Sequence, residues 1–272
     1  MNVSDKVKYI LVAILSVLLV CALVFAIYSV AGYYTAKARL EKSLGDAQYA
    51  SADGHQPHLS QFEHILTETD HTATREHALR YFDDAVFVGD SRTEGLFLYS
   101  EIAHKTNAVA YAWRGFTTND IINTPKFEID GELLTGIQAL EANKNFSKVY
   151  IMLGVNELSP GGADEYIERY EKIVACALKA NPDARIVIQS IIPTAKWKSD
   201  ESDYINNRNV ADFNAALFEY AEKNGYIWLD VASVLSDSQG NLNPAYDCGD
   251  GIHLTDKACD IWLDFLCYYT YL

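Results

Sequence analysis

Beyond about residue 80 the chain alternates short β-branched runs with stretches of helical apolar spacing, and this alternation narrows the fold more than any other feature. The runs 85–89, 108–112, 148–153, 185–191 and 226–229 are rich in Val, Ile, Leu, Ala and aromatic residues, as strands buried on both faces require. Between them Tyr166, Ile167, Tyr170, Ile173, Val174, Ala177 and Leu178 recur at helical spacing ahead of Pro182. Val210, Phe213, Leu217 and Ala221 do the same ahead of Gly225, a C-cap residue type. Thr255 is placed to N-cap a last helix that buries Ala258, Ile261, Trp262, Phe265 and Leu266. Parallel strands need crossover connections, so this order predicts a three-layer α/β/α sandwich around a mostly parallel five-stranded sheet. A sheet of that kind carries its site at the carboxyl ends of its strands.

The unusual residues fall in those loops. Gly89-Asp90-Ser91-Arg92-Thr93 follows the first strand, Trp113-Arg114-Gly115-Phe116-Thr117 the second, and Gly154-Val155-Asn156-Glu157 the third. Asp250-Gly251-Ile252-His253 stands just ahead of the last helix. A serine hydroxyl is a poor nucleophile until a base takes its proton, and a neutral imidazole needs a carboxylate on its other nitrogen to fix tautomer and orientation. Asp250 and His253 are three apart in one loop and can face Ser91 together. An oxyanion needs aimed donors, which the backbone N–H groups of Ser91 and Gly115 and the Asn156 amide can supply.

This constellation resembles the SGNH (GDSL-type) hydrolase family over about residues 83–272. The first block matches at Gly89-Asp90-Ser91, with Arg92 where the name-giving motif has leucine. The second matches at Gly115, and the Asp-x-x-His block is intact at Asp250 and His253. In the third, Glu157 replaces the usual Asp beside Asn156. The resemblance implies a flavodoxin-like three-layer fold and hydrolysis of carboxylic esters through an acyl-serine, with no metal and no cofactor. The Gly-x-Ser-x-Gly elbow of the α/β-hydrolases is absent.

The amino-terminal end is of another kind. Residues 9–31 form 23 consecutive residues without a charge, long enough at 1.5 Å per residue to cross a hydrocarbon core of about 30 Å. Ser29-Val30-Ala31 has the small residues of a signal-peptidase site, but the run is longer than the ordinary cleaved signal core, so an uncleaved signal anchor is expected. Lys6 and Lys8 before it and Lys37, Arg39 and Lys42 after it leave its orientation undecided by charge. The expected organisation is a short tail at 1–8, a membrane anchor at 9–31, a spacer at 32–80 that turns helical near 74–82, and the hydrolase domain at 81–272.

With 37 acidic and 22 basic residues the formal charge is −15, which repels nucleic-acid phosphates and removes that partner class. Residues 43–272 keep 17 of the basic and 35 of the acidic residues, a charge of −18. The mean hydropathy of −0.07 therefore averages a greasy anchor with an acidic domain. Such a domain is repelled by anionic lipid surfaces as well, which leaves the tether to the helix.

The remaining candidates carry less. Arg92 is a candidate contact for an anionic substrate group or a partner in a structural ion pair, and Trp113 and Trp197 are candidates for stacking on a sugar. Asp90 is expected to shape its loop, and Asp230 to cap or end a strand. Five of the seven histidines (His55, His58, His64, His71, His77) fall in the spacer without metal-ligand spacing, so no metal is assigned. Cys176 fits a buried helix face; Cys248, Cys259 and Cys267 cluster near the Asp-x-x-His loop, where a bridge such as Cys248 with Cys259 is allowed outside the cytoplasm. Cys21 falls inside the apolar run. The expected function is a membrane-anchored extracytoplasmic esterase acting on an ester substrate, an acetylated glycan. A lipase, lysophospholipase or thioesterase, an O-acetyltransferase, and a silent surface-binding module are the alternatives.

Overall fold

The computed structural model describes residues 71–269. Its strands are β1 (Ala85–Gly89), β2 (Val109–Ala112), β3 (Phe127–Ile129), β4 (Glu132–Leu134), β5 (Lys148–Met152), β6 (Arg185–Gln189) and β7 (Ile227–Leu229). Its helices are α1 (His71–Leu79), α2 (Ser91–Tyr99), α3 (Ile102–Lys105), α4 (Thr118–Asn123), α5 (Gly136–Ala142), α6 (Ala163–Ala180), α7 (Lys196–Asp200), α8 (Asn207–Asn224), α9 (Val231–Leu235) and α10 (Asp256–Tyr269). The main sheet runs β2-β1-β5-β6-β7, and every neighbouring pair is parallel.

Alternate residues of each strand feed two cores, because successive side chains leave a strand on opposite faces. Val86, Val88, Val149, Ile151, Ile186 and Ile188 join one core with residues of α4, α5, α6 and α8. Ala85, Phe87, Tyr150, Met152 and Val187 join the other with residues of α1, α2, α3, α9 and α10. Phe87 and Tyr150 stack across neighbouring strands at 4.7 Å between ring centroids. These are the expected three layers. Gly225 ends α8 at φ +70°, and the Thr255 hydroxyl accepts from the Ala258 N–H at the start of α10, as the sequence leads one to expect.

Two features depart from the expected organisation. The folded unit begins before residue 81: Ala78 and Leu79 of α1 are buried, and the Arg75 guanidinium binds Asp264 (2.5 Å) and Asp260 (3.3 Å) on α10. The antiparallel β3–β4 hairpin is additional, and it turns on Asp130 (φ +52°) and Gly131 (φ +84°), a dipeptide that suits a two-residue hairpin turn. Among the described residues no helix is long and apolar enough to cross a membrane. The anchor expected at 9–31, the spacer up to residue 70, and Cys21, His55, His58 and His64 lie outside the described residues.

Register positions the site. Gly89 pairs with Ala112 on one side and with Met152 on the other, so β1, β2 and β5 end level and their following loops emerge side by side. Gly89 is a close-approach position: a Cβ there would stand 2.0 Å from Thr93 Oγ1 and 2.8 Å from the Met152 carbonyl oxygen. Gly89→Ala is expected to cost about 3 kcal/mol or more through overpacking, read as a lower midpoint in chemical denaturation. An unchanged midpoint would show that the loop has slack.

Candidate active site

Asp90 and Ser91 form the entry to α2. Asp90 is the N-cap, its carboxylate accepting from the Arg92 N–H at 2.9 Å, and it is almost wholly buried. Burial pushes its carboxyl up to about 6, against the pull of Arg92. Ser91 is the first helical residue, so its N–H has no carbonyl partner within the helix and stands at the positive end of the helix dipole. The hydroxyl projects at the carboxyl end of the sheet.

Asp250 and His253 meet Ser91 there. Ser91 Oγ lies 2.9 Å from His253 Nε2, and His253 Nδ1 lies 2.5 Å from Asp250 Oδ2. The other Asp250 oxygen accepts from the backbone N–H groups of Ile252 (2.9 Å) and His253 (2.8 Å). Burial alone would raise the Asp250 carboxyl, but these bonds and the His253 ring hold it down at about 2. A carboxylate fixed in this way orients the imidazole with Nε2 toward the serine.

Arg92 corrects one expectation. Its side chain is 2% exposed, and its guanidinium donates to the carbonyls of Ile252 (3.0 Å), Pro193 (3.2 Å) and Ile192, so although the residue borders the Ser91 cavity its charged group is spent on the frame. Among the described residues it forms no direct ion pair either. Burial lowers it to about 10, while Asp90 and Asp250 pull the other way. Arg92 is a strut that ties α2 to the segment after β6 and to the Asp250–His253 loop.

The second and third loops are joined as well. Trp113 to Phe116 is a turn closed by Phe116 N–H to Trp113 C=O at 3.1 Å, with Gly115 at φ +78°. A type II turn requires that positive φ at its third position, and its closing bond does not use the Gly115 N–H. Asn156 is exposed, and its amide donates to the Phe116 carbonyl at 3.0 Å, which leaves one N–H uncommitted. Glu157 clamps the same pair of loops from below. One oxygen accepts from the Thr118 N–H and the other from the Thr118 hydroxyl, both at 2.7 Å, and Arg169 closes the group at 3.1 Å. Burial raises the Glu157 carboxyl, against those bonds.

Neither tryptophan lines the cavity that holds Ser91. Trp197 is 45% exposed, and its ring lies 2.9 Å from where a Gly251 Cβ would stand, so it flanks the Asp250–His253 loop. Trp113 faces a second cavity along β2 and β3, its ring under the Lys126 ammonium at 3.6 Å. The four described cysteines form no disulfide, so the Cys248–Cys259 bridge is not made; Cys248 is exposed while Cys176, Cys259 and Cys267 are buried. Asp230 caps α9 through the Ser233 N–H. The ligand atoms of Asp247, Cys248 and Asp250 lie within 4.8 Å of one another. Both carboxylates there serve their own loop, Asp247 accepting from Gly249 and Gly251 at 2.9 Å each.

The family model for GDSL-like lipases and acylhydrolases matches residues 87–261. The chain belongs to that family. It is an acylhydrolase, and Ser91, Asp250 and His253 all fall within the matched residues. Among solved structures it is similar to a Streptococcus pneumoniae protein provisionally termed a platelet activating factor (22% identity, TM-score 0.56, covering 77% of this chain and 95% of that one). It is also similar to a GDSL-like lipase from Bacteroides thetaiotaomicron (21%, 0.50, 71% and 92%). A third is Est24, a carbohydrate acetylesterase from Sinorhizobium meliloti (14%, 0.50, 69% and 98%). At these identities the likeness is one of fold. No curated protein matches the chain significantly.

Sequence reading noted Glu157 only as a departure from the motif, and missed its partners Thr118 and Arg169. No short-range signal links them, since they are 39 and 12 residues away. Glu157→Gln leaves one acceptor oxygen where two are used, and is expected to cost about 2 kcal/mol of stability. Urea denaturation checks this; an unchanged midpoint would remove Glu157 as the clamp.

Proposed function

We propose that this acylhydrolase is a serine esterase that removes O-acetyl groups from cell-wall or surface polysaccharide, tethered by residues 9–31 with its domain outside the cytoplasm. The observation that carries the chemistry is the continuous hydrogen-bond chain from Ser91 Oγ through both His253 nitrogens to Asp250. The glycan substrate draws on the fold shared with a carbohydrate acetylesterase, on the half-exposed Trp197 beside the triad loop, and on the −18 charge of residues 43–272, which disfavours anionic lipid.

In the first step His253 Nε2 takes the Ser91 proton while Oγ bonds to the ester carbonyl carbon. The N–H groups of Ser91 and Gly115 and the free N–H of Asn156 hold the oxyanion. Collapse breaks the carbon–alkoxy bond, and His253 gives its proton to the leaving oxygen. Water then attacks the acyl-serine, His253 takes a water proton, and collapse returns it to Ser91 with release of acetate. Asp250 keeps the imidazole oriented and stabilises its protonated form.

Ser91→Ala in the full-length chain in detergent is expected to lower kcat/KM on an aryl acetate by about 10³-fold or more. Retained activity in that variant would overturn the nucleophile. Because Asp250 is held at about 2, it keeps its charge beside the imidazole well into the acid range. Asp250→Asn is therefore expected to lower kcat on the aryl acetate by about 10⁴-fold. Near-full activity in that variant would remove Asp250 as the group that orients His253.

A further inference from the structure

We infer that the cavity beside Ser91 is the leaving-group site, and that this enzyme selects its substrate by the alcohol, a sugar ring, rather than by the acyl chain. The inference rests on the acyl-serine reading above and names the part of the substrate that reading leaves open. The cavity encloses about 610 Å³ between α2 and the start of α10. Ser91 and His253 line it together, whereas Gly115 and Asn156 do not.

That asymmetry assigns its occupant. Around the tetrahedral carbon the serine oxygen, the oxyanion, the acyl substituent and the leaving oxygen point in four different directions. The leaving oxygen must sit within reach of His253 Nε2, because it takes its proton there. The oxyanion turns toward its own donors. Of the three donors only Ser91 borders the cavity, which opens past His253 and away from Gly115 and Asn156, so it receives the alcohol.

The walls suit a sugar. Along α2, Ser91, Gly95 and Tyr99 are spaced by four residues and share one helix face. Tyr99 is 57% exposed and Leu98 61%, so an aromatic and an aliphatic side chain stand open along a groove that begins at the nucleophile. Thr255 and Asp256 lie on the opposite wall, and Glu94 and Arg114 stand at the margin 3.6 Å apart. An apolar platform ringed by hydroxyl-bonding groups fits the apolar face and hydroxyl edge of a pyranose. Gly95 keeps the floor open: a Cβ there meets only the Tyr99 ring, at 3.7 Å and beyond. A Cβ at 95 thus has room, and a larger side chain there extends from it into the groove, in a helix that favours it over glycine.

The test compares three esters with the full-length chain in detergent: glucose pentaacetate, ethyl acetate and ethyl butyrate, with acid release followed by titration. Gly95→Leu is expected to lower kcat/KM on glucose pentaacetate by about tenfold or more, and Tyr99→Ala by about fivefold. Both should leave ethyl acetate, and the butyrate-to-acetate ratio, nearly unchanged. A Gly95→Leu loss that grows from ethyl acetate to ethyl butyrate would overturn the proposal by placing the acyl chain in the groove. Equal losses on all three esters in both variants would overturn it as well. Ser91→Ala assayed alongside reports on the nucleophile alone: activity there sinks the acyl-serine reading, whereas inactivity with unchanged ester preferences at 95 and 99 sinks only the alcohol groove.

Discussion

The level carboxyl ends of β1, β2 and β5 are the constraint on which the site depends. Parallel pairing fixes the register of Gly89 against Ala112 and Met152, and the loops that follow have no choice but to leave the sheet together. Two apolar cores, one on each face, hold that register, because a one-residue slip would send every strand side chain to the wrong layer. Gly89 shows how little tolerance is left. The helix that presents Ser91 turns out of the strand so tightly that there is no room for a methyl group between Thr93 and β5.

Polar groups then join what the sheet brings near. Arg92 bonds three carbonyls from two distant segments, and so fixes the Asp250–His253 loop against the helix that carries Ser91. A leucine, the residue of the family motif, would fill the space without directing those carbonyls. Glu157 does the corresponding work on the other side, drawing the Asn156 loop to Thr118 just beyond Gly115. Both groups are largely buried, and each is tolerated because its hydrogen-bonding capacity is spent on nearby partners. The geometry around Ser91 is thus held by a cation on one flank and an anion on the other.

Much of this was legible in the chain. The strands and the long helices announce themselves by periodicity, which depends only on local geometry, and their observed ends fall within a few residues of the expected ones. The four loops were recognisable because chemistry demands particular residue types there. What escaped was of two kinds. The Asp130–Gly131 hairpin carries a local turn signal, but three paired residues on each side give too little alternation to mark the strands. Arg92 and Trp113 were assigned to substrate because their residue types invite it, and nothing nearby in sequence reveals the carbonyls of Ile192, Pro193 and Ile252 or the ammonium of Lys126.

By itself the sequence determined the layer order, the parallel sheet, the serine, histidine and aspartate of the triad, and the apolar run at 9–31. These rest on periodicity and on residue chemistry, both of which are readable over short spans. Only the tertiary structure decided which side chains line the cavity at Ser91 and which hold the frame. The Arg92 guanidinium went to the frame, Trp113 to a separate cavity, and Gly95 and Tyr99 to the cavity at Ser91. The reason is physical: facing depends on contacts between segments tens to more than a hundred residues apart, and those distances exist only once the chain has closed on itself.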